Sequence, residues 1–370
     1  MWQAGDQVQL VQIRPATHAG DARLLLADRS GRRVRYLRVS LTDRCNYRCT
    51  YCMPDRPLDY GPRSALLSLE EVGNIVAEFA RAGVERVRLT GGEPTLRRGV
   101  VDLVARLSAL PVGDTDQRLK VTMTTNGERL AEVAEDLARA GLSGITISID
   151  TLDPLRFAKI TRRGNLDRVL EGIAAARSAG LSPIKLNTVA IRGFNDDELP
   201  RIARFAWAHE ATPRFIELMP MASGELFAPG DLMSARDVRA QIVADLTAEP
   251  GAEGRGALAP DEGLGVAGAG PATYWRVAEG PHRGSRIGTI AAMTENFCAS
   301  CNRLRLSATG QLHACLARDE TGDLRAAMRS SDPGALASVV AQVLGTKQDG
   351  HGFNMDGSGG PTKAMVSIGG

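Results

Sequence analysis

Nowhere in the chain is there a run of about 18 apolar side chains, the length that a membrane-spanning helix needs. Residues 1–31 also lack the apolar core of a signal peptide. From these two absences we expect a soluble, cytoplasmic protein. Charge of one sign is missing too: the formal net charge is +2. A nearly neutral chain has no global attraction for nucleic acid or an anionic membrane. Aromatic and basic residues do not interleave as they do in nucleic-acid-binding modules, so neither partner is expected. No internal repeat stands out. Cysteine is sparse, with six residues in a chain of 370. So few thiols in so long a chain, with no export signal, favour metal or redox roles over disulfides.

What is present is an alternation. Short β-rich runs ("VRYLRVSL", "VERVRLT", "LKVTMTT", "GITISID", "IKLNTVAI", "RFIELMP") are separated by stretches of helical period. In "SLEEVGNIVAEFARAG", Ser68 is placed to cap a helix, with Glu71 three residues on. "NLDRVLEGIAAARSAG" and "DDELPRIARFAWAHE" read as helices in the same way. Six βα units in series imply a parallel sheet, either open and doubly wound or a barrel. Several strands end in polar or glycine residues (Thr90, Gly91 and Gly92; Thr124, Thr125 and Asn126; Ser148 and Asp150), which belong at the active-site mouth of either architecture. Residues 248–272 are rich in Gly, Ala, Pro and Glu and read as a mobile insertion outside the elements of the fold.

The cysteines fall in two sets of three. "DRCNYRCTYCMP" carries Cys45, Cys49 and Cys52 at Cys-x3-Cys-x2-Cys spacing just beyond the first strand. Three thiols cannot pair off as disulfides, and a closed zinc site wants four ligands, with no histidine in this segment. Three thiolates on a [4Fe–4S] cluster leave the fourth iron open to an outside molecule. "CASCNRLRLSATGQLHAC" repeats the arithmetic with Cys298, Cys301 and Cys315. There His313, two residues from Cys315, keeps a mixed zinc site open as an alternative.

The first triad, with aromatic Tyr51 before its last cysteine, resembles that of the radical S-adenosylmethionine enzymes. The whole set of segments ("LRVSLTDRCNYRCTYCMP", "RLTGGEPTLR", "TTNG", "FIELMP", and the second triad with "NRLRLSATG") is similar to the GTP 3′,8-cyclase family of molybdenum cofactor biosynthesis. The resemblance spans roughly residues 33–330 plus the terminal Gly369 and Gly370. It implies a partial (βα)6 barrel of the TIM type over 33–230, closed by a smaller α+β region over 231–345. An N-terminal extension (1–32) and a tail (346–370) flank these.

The resemblance also implies the chemistry. Two [4Fe–4S] clusters, each on three cysteines, and S-adenosylmethionine are the expected cofactors. Cleavage of S-adenosylmethionine yields a 5′-deoxyadenosyl radical that takes the 3′ hydrogen of GTP, giving 3′,8-cyclo-7,8-dihydro-GTP. Tyr51, Gly92, Glu93, Ser148 and Met219 match S-adenosylmethionine contacts. Arg38, Arg88, Thr124, Lys185, Arg303, Leu304 and Arg305 match GTP contacts, and Gly369 with Gly370 match a catalytic tail. Charged residues inside parallel strands support this assignment, because both faces of such a sheet are usually covered. Arg35 and Arg38 face opposite sides, so at most one points inward. An electron donor of flavodoxin or ferredoxin type, transfer of the product to cyclic pyranopterin monophosphate synthase, and room for a homodimer complete the implied partners. The rivals are a radical S-adenosylmethionine peptide maturase with one auxiliary cluster and a two-zinc scaffold. Maturases often carry more auxiliary clusters, and this chain has no cysteine to spare.

Overall fold

A computed structural model describes residues 24–369 except 55–57, 59, 223–226, 249–256 and 262–269. Six parallel strands lie side by side in chain order: β1 (Tyr36–Ser40), β2 (Arg86–Thr90), β3 (Lys120–Thr125), β4 (Ile145–Ser148), β5 (Ile184–Ala190) and β6 (Ala211–Glu217). The crossovers carry α1 (Leu69–Arg81), α2 (Val100–Ser108), α3 (Leu130–Arg139), α4 (Pro154–Thr161), α5 (Leu166–Ser178) and α6 (Leu199–Ala208). All six strands and the three quoted helices stand where the sequence pattern puts them. α4, an eight-residue helix between β4 and α5, is an addition the pattern did not announce.

Local chemistry explains the elements. Ser68 Oγ accepts from the Glu71 amide at 3.1 Å and Glu71 Oε2 accepts from the Ser68 amide at 2.8 Å, a reciprocal cap that opens α1. Val72, Ile75, Val76 and Phe79 then bury one face of that helix. In the strands the period is two. Leu37, Val39, Val87, Leu89, Val121, Met123, Ile145 and Ile147 join one apolar core with α1 to α5. Arg38, Arg88, Thr122, Thr124 and Thr146 alternate with them and so share the other face.

The C-terminal region extends the same sheet at both ends. α7 (Ala235–Thr247) leads to β7 (Leu258–Pro260), β8 (Thr273–Val277) and β9 (Arg286–Ile290), and β9 pairs parallel to β6. At the opposite end β10 (Arg303–Leu306) pairs parallel to β1, followed by β11 (Gln311–His313) and β12 (Thr321–Asp323). α8 (Leu324–Arg329) and α9 (Ala335–Gly345) cover that end. The result is a twelve-stranded sheet ordered β12-β11-β10-β1-β2-β3-β4-β5-β6-β9-β8-β7. Because β10 runs parallel to β1, the second cysteine triad lies at the amino end of these strands, opposite the first triad beyond the carboxyl end of β1.

Two expectations change. The 248–272 stretch is not wholly outside the fold: β7 lies within it and pairs antiparallel to β8. Three residues are too few for a periodic signal, and Leu258 is fixed by packing on a second apolar cluster around Phe215 and Ile287. The rest of that insertion at 249–256 and 262–269 lies outside the described residues. Of the N-terminal extension, 1–23 lie outside them as well, whereas Leu26 is buried in the main core and Ala27 bridges to Arg33. Among the described residues no helix is long and apolar enough to cross a membrane.

Candidate active site

The loop after β1 carries Cys45, Cys49 and Cys52. α4 holds it down: the Arg48 amide donates to Thr161 O and the Thr50 amide to Ile160 O, each at 3.0 Å. The loop after β2 packs on it from the other side. The Gly92 amide donates to Thr42 O at 2.6 Å and the Glu93 amide to Arg44 O at 2.9 Å. A Cβ on Gly92 would lie 2.1 Å from Arg44 O. Glycine is therefore required here by the approach of the cysteine loop itself, beyond any approach of a ligand.

The three thiols line a cavity with Tyr51, Gly92, Glu93, Asn126, Ser148 and Asp150, at the carboxyl ends of β1 to β4. All three are free cysteines of intermediate exposure. Burial, with Glu93 nearby, pushes the Cys45 thiol up to about 12; burial does the same for Cys52, and raises Cys49 well above the usual thiol range. Glu93 is buried and heavily used. Its Oε1 accepts from Thr95 N (3.0 Å), Thr95 Oγ1 (2.7 Å) and Thr125 Oγ1 (2.8 Å), and its Oε2 from Asn126 N (2.7 Å). Acceptor capacity remains at Oε2 for one outside donor. Tyr51 donates to Asp150 Oδ2 at 2.8 Å, and burial raises that carboxyl to about 6.

A second, larger chamber opens beside this cavity. Tyr51, Thr124, Ser148, Asp150 and Met365 line both, so the two are contiguous. Cys298, Cys301 and Cys315 line its far end, and Met219 its side. Its floor is cationic. In the strand registers Arg305, Arg38 and Arg88 stand level on the adjacent β10, β1 and β2, and Lys185 lies level with Thr146 on β5. Like charges in register repel across a sheet. Burial and Arg305 together hold the Arg38 guanidinium well below its ordinary range. Burial, then Arg214 and Arg88, bring the Lys185 ammonium down to about 7. Burial lifts the Tyr36 phenol, but Arg88 and Arg38 outweigh that and lower it to about 8.

Among the described residues no carboxylate pairs with Arg88, Lys185, Arg303 or Arg305. Arg88 donates to Tyr36 Oη (2.5 Å), Met123 O (3.2 Å), Thr124 Oγ1 (2.9 Å) and Thr146 Oγ1 (2.9 Å). Arg305 donates to Gly369 O at 2.9 Å, Arg303 lies over the Phe297 ring, and Lys185 lies over the Tyr274 ring. Arg35, by contrast, points outward to Glu85. Buried cations without carboxylates are costly unless an anion arrives. The chamber therefore suits a polyanion.

Sequence reasoning missed one member of this set. Arg214 on β6 is buried, lines the chamber, and donates to Asn187 Oδ1 (2.9 Å) and Thr146 Oγ1 (3.0 Å). A charge inside a parallel strand, the signal that picked out Arg88, was available for it too. Leu304 needs correction. The alternation of β10 turns its side chain away from Arg303 and Arg305 into the main core, so only its backbone is left to face a nucleotide. His313 is buried on β11 opposite Arg305 and is not among the chamber's lining residues.

The second triad differs electrically from the first. Burial raises Cys301, but Arg303 and Lys347 beside it overcome that and lower the thiol to about 6. Cys298 stays raised, chiefly by burial. Among the described residues no group of three or more His, Cys, Asp or Glu side chains is placed to hold a single metal ion. Three thiols spread over three different irons are the donor set of an open [4Fe–4S] cluster, and both triads fit that requirement.

The tail reaches this site. Met365 and Val366 line the first cavity, Val366 and Ile368 are buried, and Gly369 has φ +69°. A Cβ on Gly369 would meet Thr90 Oγ1 at 2.6 Å and Ser40 Cβ at 3.0 Å, so glycine is required there for both space and conformation. Gly370 lies outside the described residues.

The Radical SAM superfamily matches residues 39–206 and the Molybdenum Cofactor Synthesis C family matches 211–353. A GTP 3′,8-cyclase of Bradyrhizobium diazoefficiens is 43% identical over 335 residues, covering 90% of this chain and 91% of that protein. One from Rhodopseudomonas palustris is 41% identical over 340 residues, covering 90% and 91%. One from Rhizobium meliloti is 41% identical over 333 residues, covering 90% and 89%.

Proposed function

The chain belongs to the GTP 3′,8-cyclase family, and from that premise we propose that its two thiol triads hold two [4Fe–4S] clusters facing one chamber in which GTP is cyclised. The activity is that of a radical S-adenosylmethionine lyase of molybdenum cofactor biosynthesis. The observation that carries the two-cluster reading is a pair of contiguous cavities, one lined by the first three thiols and the other, cation-floored, by the second three.

When bound, the clusters and S-adenosylmethionine supply the 5′-deoxyadenosyl radical and an open iron for the guanine nitrogen edge. The residues of the chain bind, orient and exclude water. Ser148, Met219, Tyr51 and the backbone at Gly92 surround the place for S-adenosylmethionine, with Glu93 Oε2 free to accept from its ammonium. Arg38, Arg88, Lys185, Arg214, Arg303 and Arg305 receive the triphosphate, and Thr124 sits between the two ligands. Ile216, Leu218 and Ile290 form an apolar wall that limits water. Cytoplasmic location, a flavodoxin- or ferredoxin-type electron donor, delivery of the product to cyclic pyranopterin monophosphate synthase, and a homodimer remain parts of this proposal.

Lys185 gives the cradle a pH signature. Its ammonium is near half-neutral at pH 7 in the empty site. Triphosphate favours the charged form and raises its pKa, so binding takes up a proton above about pH 7 and none well below it. Affinity therefore falls as pH rises from 7 toward the raised value. Isothermal titration at pH 8 in buffers of different ionisation heat should show net proton uptake that is reduced in Lys185→Met, the remainder coming from the Tyr36 phenol. Arg214→Met in the same assay should weaken GTP about 10- to 150-fold, the loss of one charge-assisted contact of about 1.5–3 kcal/mol. Guanosine binding as tightly as GTP rules out the cradle.

We assign the tail a positioning task. Gly369 O holds the Arg305 guanidinium in the chamber. A chain ending at Ile368 keeps its buried Val366 and Ile368 and so keeps its melting temperature and iron content. Its cyclisation should fall about 100-fold, the cost of an error near 1 Å in a reacting geometry. Full activity in that chain returns the terminal glycines to an ordinary loose end.

A further inference from the structure

Lys347 follows α9, its amide bonded to Leu344 O at 3.1 Å, while Val340, Val343 and Leu344 bury that helix in the main core. The side chain is only 6% exposed. An ammonium has three protons, and each has an acceptor here: Arg303 O at 3.0 Å, Ala314 O at 3.0 Å and Cys301 Sγ at 3.5 Å. The two carbonyls are not arbitrary. Arg303 is two residues beyond Cys301, and Ala314 directly precedes Cys315. One buried amine thus ties the start of β10 to the end of β11 and turns its remaining proton to a thiol.

The neighbouring cations do different work. Arg32 holds the Cys298 carbonyl at 2.7 Å, but its charge is matched by Asp28 at 2.6 Å and Asp349 at 3.0 Å. Arg303 also reaches Cys301 Sγ at 3.5 Å, yet it lines the chamber and is shared with whatever anion binds there. Lys347 sits behind the thiol, outside the chamber lining, and among the described residues no carboxylate pairs with it. Its charge acts on the sulfur whether or not substrate is present.

We propose that Lys347 is a positioning residue of the second triad, which sets the spacing of the Cys301 and Cys315 segments and, through its charge on the Cys301 sulfur, raises the reduction potential of the cluster those thiols hold. The inference rests on the two-cluster reading. Its physical basis is general: a positive charge and N–H···S donation favour the more negative, reduced state of a cluster. Lys347 also leaves the chamber cations free for substrate.

The test uses the full chain with Ala at Cys45, Cys49 and Cys52, so that only the second triad binds iron. After anaerobic reconstitution, iron per chain, melting temperature and an EPR-monitored redox titration are measured for this parent and for Lys347→Met and Lys347→Arg in it. Lys347→Met should shift the reduced-to-oxidised ratio at a given potential about tenfold toward oxidised, about 59 mV more negative for a one-electron couple. Lys347→Arg, which keeps the charge, should stay close to the parent. An unchanged potential in Lys347→Met overturns the proposal. If Lys347→Met folds but loses its iron, Lys347→Arg decides: a retained cluster at the parent potential supports the proposal, and a lost one overturns it. A parent chain that binds no iron defeats the two-cluster reading itself, a result distinct from any effect of the lysine.

Discussion

Replacing Cys45, Cys49 or Cys52 with Ala abolishes 5′-deoxyadenosine formation while leaving about four irons per chain, those of the second triad. The reason is geometric. These thiols sit on a short loop fastened on one side to α4 and on the other to the Gly92 backbone. No His lies in this segment to stand in for a missing thiol. Their pKa values point the same way: burial keeps the free thiols protonated, so only metal binding draws off the protons. Chromatography of the anaerobic reaction with S-adenosylmethionine and a reductant checks this. Cleavage at the parental rate by such a variant contradicts the assignment.

Loss of the second triad should have the opposite profile. With Ala at Cys298, Cys301 or Cys315, basal cleavage of S-adenosylmethionine continues, because the loop that carries the first thiols is held by α4 and by the loop after β2. GTP conversion stops, because the guanine loses its anchor at the far end of the chamber. Triphosphate affinity should survive in part through Arg88, Lys185 and Arg214, which do not depend on those cysteines. Measuring deoxyadenosine and cyclised nucleotide in one reaction separates the two outcomes. Unchanged cyclisation without these thiols excludes a substrate-binding second cluster.

Much of this site is written locally in the chain. Cysteine spacing, glycines after a strand, and a capping Ser are short-range features, and all three were legible. Arg38, Arg88 and Lys185 stood out because a charge within a parallel strand needs a reason. Arg214 carried the same signal inside "RFIELMP" and was passed over. Other features depend on contacts between distant residues. That β10 lies beside β1, putting Arg305 level with Arg38, follows from packing of residues more than 260 positions apart. Lys347 is one lysine after a helix until the fold carries it to Cys301. Leu304 shows the reverse error: matching a family position does not say which way a strand residue faces, and alternation turns it into the core. β7 was invisible because three residues have no period to read.

The central claim is that one chamber holds S-adenosylmethionine at the first triad and GTP between that triad and the second, close enough for direct hydrogen transfer. Anaerobic turnover with GTP deuterated at the ribose 3′ carbon, reading 5′-deoxyadenosine by mass, tests it most directly. The account predicts 5′-deoxyadenosine one mass unit heavier, formed together with cyclised nucleotide. Unlabelled 5′-deoxyadenosine accompanying cyclised product would contradict it.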